Sequence, residues 1–345
     1  MKVFWDPVQL RHAPQFFLQR GLVRSNFEVP ARAEALLEGV HALGLAPERP
    51  PAADRAALEA VHAPAYLGFL HDAAAEWAKL PEHGPELVPN IHPSAEMLAQ
   101  GAQIGDTIMG RLGWFTADTA CPIGPGTWPA ALAAAACAIA AADEAATGRH
   151  AYALARPPGH HAYPARAGGH CYLNNAAIAA ERLRARGAAR VAVLDIDSHH
   201  GNGTQGVFWE RADVLFVSVH GDTKGYYPWY VGHASERGAG AGLGTNVNLP
   251  LPRGADDVAW LGALDLGLAA LARFKPDALV LSLGFDASEH EPLSFLRVSA
   301  DGFARAGEAV AGLGLPTAII QEGGYDLDRL GRLLERCLAS FGSRP

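Results

Sequence analysis

Residues 191–203 read Val-Ala-Val-Leu-Asp-Ile-Asp-Ser-His-His-Gly-Asn-Gly, and the fold can be read outward from them. The first half, 191–196, is short and rich in branched aliphatic residues, the pattern of a strand buried on both faces of a parallel sheet. The second half turns to acids, imidazoles and glycines, which end the buried strand. Apolar runs at 214–219, 278–283 and 317–320 repeat the pattern, and 151–155 is a weaker case. Helical patterns at 175–186, 256–273 and 300–313 alternate with them. That alternation predicts an α/β chain with a central parallel sheet covered on both faces.

The first 130 residues are less regular, with helical stretches at 30–43 and 54–70 and a long Pro- and Gly-rich loop at 80–93. No repeat or low-complexity linker divides the chain, so residues 1–345 are read as a single catalytic domain. Hydrophobic residues make up 49% and charged residues 19%, enough apolar side chains for a large core. A formal charge of −8 without a Lys/Arg cluster argues against a nucleic-acid partner and favours a cationic one. No stretch reads as a membrane span; the Ala-rich run 130–146 is broken by Asp143 and Glu144 and reads as a packed helix. Cys121, Cys137, Cys171 and Cys337 lie far apart without CxxC spacing, which indicates neither a disulfide framework nor a thiolate zinc site and fits a reducing cytoplasm.

Each strand candidate runs, at its C-terminal end, into polar or ionisable residues. Residues 151–155 lead to Arg156-Pro157-Pro158-Gly159-His160-His161, 214–219 to His220-Gly221-Asp222, 278–283 to Gly284-Phe285-Asp286, and 317–320 to Gln321-Glu322-Gly323-Gly324-Tyr325. In a parallel sheet those ends share one edge, where ligands bind. A lone Asp there caps a helix and a lone His is a satisfied core residue, but several buried acids and imidazoles together must be paired or metal-bound. Asp197, His199 and Asp286 offer oxygen and nitrogen ligands, an open zinc set of the catalytic kind. Two carboxylates also suit Fe(II), Co(II) or Mn(II).

His160 and His161, on a rigid turn, suit general acid and base work once Asp195 orients the first and Asn202 the second. A carboxylate raises a histidine's pKa more than an amide does, so His161 is read as the base. Tyr325, after two glycines, is placed to donate a hydrogen bond to a developing oxyanion.

Arg-Pro-Pro-Gly-His-His (156–161), Gly-Gly-His-Cys-Tyr-Leu-Asn-Asn (168–175), the Asp-Ile-Asp-Ser-His-His-Gly-Asn-Gly-Thr-Gln run (195–205) and Glu-Gly-Gly-Tyr (322–325) resemble the zinc-dependent histone deacetylase superfamily. Within it the likeness is closest to bacterial acetylpolyamine amidohydrolases. It extends through Pro-Gly-Thr-Trp (125–128), Val-His-Gly-Asp (219–222) and Leu-Gly-Phe-Asp (283–286).

The resemblance implies an arginase-like three-layer α/β/α sandwich, zinc on Asp197, His199 and Asp286, and the dyad and tyrosine named above. It also implies a structural potassium ion near Asp195 and Ser218, with main-chain carbonyls of Asp197, His199 and Val219. The implied reaction is attack of water on an amide carbonyl polarised by zinc and Tyr325, with no acyl-enzyme, so Cys171 is a wall residue. The substrate channel it implies is lined by Gly169, His170, Tyr227 and Leu293. His170 stands where Phe or Tyr is usual; an imidazole there is smaller and able to take on charge at lower pH, which predicts an atypical substrate or acyl group. Asp118 is the candidate acid for a distant ammonium. Residues 80–129 resemble an insertion that narrows the mouth and packs against a second subunit, implying a homodimer. The implied substrate is a small cationic acetylated amine, acetylpolyamines first, with acetyl-lysine of peptides or proteins as the alternative.

Overall fold

A computed structural model describes residues 1–342. Its strands are β1 (Lys2–Phe4), β2 (Phe16–Gln19), β3 (Leu22–Ser25), β4 (Pro47–Glu48), β5 (Ala151–Ala153), β6 (Val191–Asp195), β7 (Val214–Gly221), β8 (Asn246–Leu251), β9 (Ala278–Leu283) and β10 (Thr317–Gln321). Eight of them form one sheet in the order β4-β1-β5-β10-β9-β6-β7-β8, and every neighbouring pair is parallel. β2 and β3 form a separate antiparallel hairpin.

The near-continuous apolar character of the central strands follows from burial on both faces. Val191, Val193, Phe216, Val280 and Ile320 point into one core, under the helices Thr127–Ala145 and Asn175–Ala185. Their chain neighbours Ala192, Leu194, Val217, Leu281 and Ile319 point into the other, under Ala31–Ala42, Asp257–Phe274, Ala300–Ala311 and Leu327–Leu338. Period-two alternation thus feeds two helical layers, giving the α/β/α sandwich. Each fully buried Val, Leu or Ile stabilises this arrangement by roughly 1.5–3 kcal/mol.

Two helices of the second layer approach so closely that only glycine fits between them. A Cβ on Gly39 would lie 2.2 Å from the Gly331 carbonyl oxygen, and one on Gly331 would lie 2.4 Å from that of Ala35. Gly39→Ala gains at most about 1 kcal/mol of helix propensity, whereas forcing backbone apart in a packed layer costs about 1–3 kcal/mol or more. A net loss of stability is expected, read as a lower denaturation midpoint at unchanged slope.

The predicted helices at 175–186, 256–273 and 300–313 appear with ends shifted by a residue or two. The expected helix at 54–70 is instead two, Arg55–Glu59 and Pro64–Trp77. Pro64 lacks the N–H a continuous helix needs but suits the first turn of a new one. Strands β1 to β4 and β8 lie outside the pattern read from the sequence: β1 and β4 are very short, β2 and β3 form the separate hairpin, and β8 alternates Asn246 and Asn248 with apolar residues. β8 is an edge strand, so it tolerates Pro250, and both asparagine side chains donate to Gln205 Oε1. Among the described residues no helix is long and apolar enough to cross a membrane.

Candidate active site

Because the sheet is parallel, the C-terminal ends of β5, β6, β9 and β10 deliver their following residues to one edge. Asp197 and His199 follow β6 and Asp286 follows β9, and ligand atoms of the three lie within 4.8 Å of one another in buried surroundings. His199 Nδ1 is 2.8 Å from Asp286 Oδ2 and 3.2 Å from Asp197 Oδ1. The remaining oxygens are oriented by backbone: Ser198 N–H donates to Asp286 Oδ1 (2.8 Å) and Gly323 N–H to Asp197 Oδ2 (2.9 Å). Glycine is required at 284 and 323, where a Cβ would lie 2.1 and 2.7 Å from Asp197 Oδ2.

Two buried carboxylates so close repel each other. Burial and the charge of Asp197 both push the Asp286 pKa up, and His199 only partly offsets them. Burial also disfavours a charged His199, but Asp286 and Asp197 outweigh it and raise its pKa to about 9. Such a set is relieved by a cation, and two oxygens with one imidazole nitrogen match an open zinc site. Among the described residues a second group, His160, Cys171 and Glu322, also lies within ligand distance. Its members are otherwise occupied: Glu322 Oε2 accepts the N–H groups of Gly159 and His160, and Oε1 accepts Ser282 Oγ–H.

The two histidines stand side by side with ring centroids 4.0 Å apart. His160 Nδ1 is 2.9 Å from Asp195 Oδ2, and His161 Nδ1 is 2.6 Å from Asn202 Oδ1. Burial works against charge on both, but the carboxylates of Asp197 and Asp195 raise His160 well above the usual range. His161, buried and facing the positive charges of His160 and His199, is held well below it. An amide oxygen accepts only, so His161 carries its proton on Nδ1 and leaves Nε2 free as a base. The turn that carries the dyad is braced by the paired asparagines: Asn174 donates to the Ala162 carbonyl, Asn175 to that of Pro157, and Asn174 also caps the following helix at Ala177.

Tyr325 is 9% exposed, and burial raises its phenol pKa, keeping it a donor. The Arg32 guanidinium lies 4.7 Å over its ring and donates to the carbonyls of Gly324 and Glu322. Cys171 is buried, its thiol pKa is raised and its Sγ faces the Gly169 carbonyl, so it stays protonated.

The residues expected to line a channel make contacts beside this cluster. The Tyr227 ring is 4.9 Å from His161, and its hydroxyl donates to Asp118 Oδ2 at 2.6 Å. Asp118 also accepts the N–H groups of Ala120 and Gly169, so it braces both walls. Gly169 has φ 52°, and a Cβ there would strike the His161 ring at 2.5 Å. His170 adopts φ 69° and packs its ring 5.7 Å from Phe17 and 6.1 Å from Tyr325. Burial lowers the pKa of this imidazole to about 4, the carboxylates of Glu28 and Asp118 only partly offsetting it, so charge on His170 belongs to distinctly acidic pH. Leu293 is half-buried on the loop after Asp286, and its carbonyl accepts the Tyr226 hydroxyl at 2.8 Å. Asp195 and Ser218 pair in register across β6 and β7, with Val219 next along the strand.

A buried ionic group was missed from the sequence. Glu28 Oε1 pairs with Arg32 (2.9 Å) and Arg156 (2.8 Å), and all three side chains are fully buried. Only Arg156, at the head of the Arg-Pro-Pro-Gly-His-His run, and the i,i+4 spacing of Glu28 and Arg32 hinted at it. Glu28→Gln would leave two buried guanidinium groups without a countercharge. A loss of about 3–5 kcal/mol of unfolding free energy is expected. An equally stable variant in denaturant titration would contradict that ledger of charges.

The acetylpolyamine amidohydrolase of Burkholderia pseudomallei (strain 1710b) is 45% identical to this chain, covering 99% of each. That of Mycoplana ramosa is 40% identical, covering 95% of this chain and 96% of the relative. The crystal structure of an acetylpolyamine aminohydrolase from Burkholderia pseudomallei superposes with a TM-score of 0.95 at 44% identity, over 99% of both chains. Residues 26–341 match the histone deacetylase domain, so the sheet-edge cluster sits in a fold shared along nearly the whole length, and this chain belongs to the histone deacetylase family.

Proposed function

We propose that the chain is a zinc-dependent amidohydrolase that removes acetyl groups from small acetylated amines, with acetylpolyamines as the preferred class. The observation that carries this is the divided histidine pair: one imidazole on a carboxylate, one on an amide, beside a three-ligand metal set and a buried phenol. The substrate class rests on relatives named acetylpolyamine amidohydrolases that match end to end.

Asp197, His199 through Nδ1, and Asp286 would hold the zinc. When bound, zinc supplies Lewis acidity, polarising the amide carbonyl and making water acidic enough to attack. His161 takes the proton from the attacking water on its free Nε2. The Tyr325 hydroxyl donates to the carbonyl oxygen as negative charge builds on it. When the C–N bond breaks, His160, which holds a proton, lies beside His161 to complete the transfer to the leaving amine nitrogen. Tyr227 and the Gly169–His170 turn wall off bulk water.

A chain charge of −8 and the exposed rings of Trp229 (52%) and Tyr230 (86%), next to Tyr227, favour a slender cation at the mouth. On the same footing we read residues 1–345 as one catalytic domain, working in the cytoplasm, with structural potassium at Asp195, Ser218 and the carbonyls of Asp197, His199 and Val219. Exposed Ile91, Met97, Leu98 and Ile104 within 80–129 support a homodimer through that region. Turnover of acetylputrescine or acetylspermidine is expected to exceed that of an acetyl-lysine peptide by at least about tenfold in kcat/KM, a 1.4 kcal/mol preference. The reverse order would favour a peptide or protein deacetylase.

A further inference from the structure

Tyr325 stands on backbone that its own sequence leaves loose. Gly323 and Gly324 precede it, and Gly324 has φ 120°, a conformation that glycine alone adopts freely. Arg32 fixes the carbonyls before the residue, at Glu322 and Gly324. The N–H groups of Tyr325 and Asp326 both donate to a single oxygen, Glu291 Oε2, at 2.9 and 3.0 Å. Glu291 arrives from another segment, the loop that leaves Asp286. It is 7% exposed, and its Oε1 is buried with no hydrogen-bond partner. Burying a carboxyl group with half of its bonding capacity unmet is costly, so the contact it does make needs a reason.

The same loop holds the opposite wall of the site. The Leu293 carbonyl accepts the Tyr226 hydroxyl at 2.8 Å, and the Tyr226 ring stacks on His199 with centroids 4.4 Å apart and planes at 17°. One segment therefore carries Asp286, steadies His199 through Tyr226, and grips the backbone of Tyr325. We propose that Glu291 is a positioning residue for the reaction, setting where the Tyr325 phenol stands relative to the metal-ligand set. The proposal rests on the assignment of Tyr325 as the hydrogen-bond donor to the reacting carbonyl. Glu291 also accepts the N–H of Asp326, the N-cap of the helix Leu327–Leu338, whose own side chain makes no cap bond. Capping alone predicts lost stability without a selective loss of turnover.

A double-mutant cycle separates the two roles. Glu291→Ala in otherwise intact, zinc-loaded protein is expected to lower kcat by about 10- to 100-fold, as an error near 1 Å in a reacting group does. KM should change by less than about threefold, and Glu291→Gln, which keeps an acceptor oxygen for both N–H groups, should recover kcat to within about threefold. In a Tyr325→Phe background the same Ala substitution should lower kcat by no more than about threefold further, because the group it positions is gone. An equal fold-loss in both backgrounds, or unchanged kcat in the first, would overturn the proposal. Should the alanine variant fail to fold, Glu291→Asp, which withdraws the acceptor by one methylene, is run through the same cycle, with zinc content and hydroxamate affinity expected to stay at wild-type values. Full activity in Tyr325→Phe alone would strike down the role of the tyrosine itself, a result distinct from additivity at Glu291.

Discussion

Asp286→Asn is expected to purify with little or no zinc and to hydrolyse acetylated amines at least about 10³-fold more slowly, since the lost Lewis acidity is worth several kcal/mol. The substitution isolates the metal from the fold. Asn Oδ1 keeps the bond from Ser198 N–H, and what is lost is one charge and one ligand oxygen facing His199 Nδ1. In the metal-free protein burial and Asp197 drive the Asp286 pKa upward, while the His199 imidazole beside it pulls the other way. Chelation should lower the Tm of wild type, which gives up a ligand bound only by the native state, and leave that of the variant unmoved. Elemental analysis, turnover and paired melting curves check this together. A variant that keeps stoichiometric zinc and turnover would remove Asp286 from the ligand set.

Tyr325→Phe and His161→Ala should each reduce kcat by at least about 10²-fold with zinc still bound, for different reasons. The phenylalanine fills the same space under Arg32, so packing and the guanidinium contact survive while the hydroxyl is removed. Losing one such donor costs about 10²–10³ in kcat. At His161 the ring is replaced, and with it the free Nε2 that the Asn202 contact leaves available as a base. A general base contributes typically about 10²–10⁴-fold. Neither residue belongs to the ligand set, so elemental analysis should return one zinc per chain in both. Near-normal turnover in either would contradict its role.

The ionisable residues that the strand pattern alone makes legible share one property: each follows the C-terminal end of a buried strand. Asp197, His199, Asp286, His160 and Tyr325 follow β6, β9, β5 and β10, so recognising the strand also locates the side chain. Glu28, Arg32 and Glu291 carry no such signal. Arg32 lies in the helix Ala31–Ala42, yet it grips backbone at 322 and 324, and Glu291 lies on an irregular loop. His170 shows the same limit from the other side. Its identity was plain, but its protonation depends on burial against Phe17 and Tyr325, residues far from it in the chain.

Short-range pattern was sufficient for the parallel sheet, the edge that gathers the ionisable residues, and the meeting of Asp197, His199 and Asp286 there, because strand direction and period-two alternation are local properties of the backbone. Tertiary structure alone decided which buried acid pairs with Arg32 and Arg156, where Gly39 and Gly331 must lack a side chain, and what holds Tyr325 in place. Those depend on dielectric surroundings and on contacts between segments up to 292 residues apart, as for Arg32 and Gly324, and no local pattern encodes them.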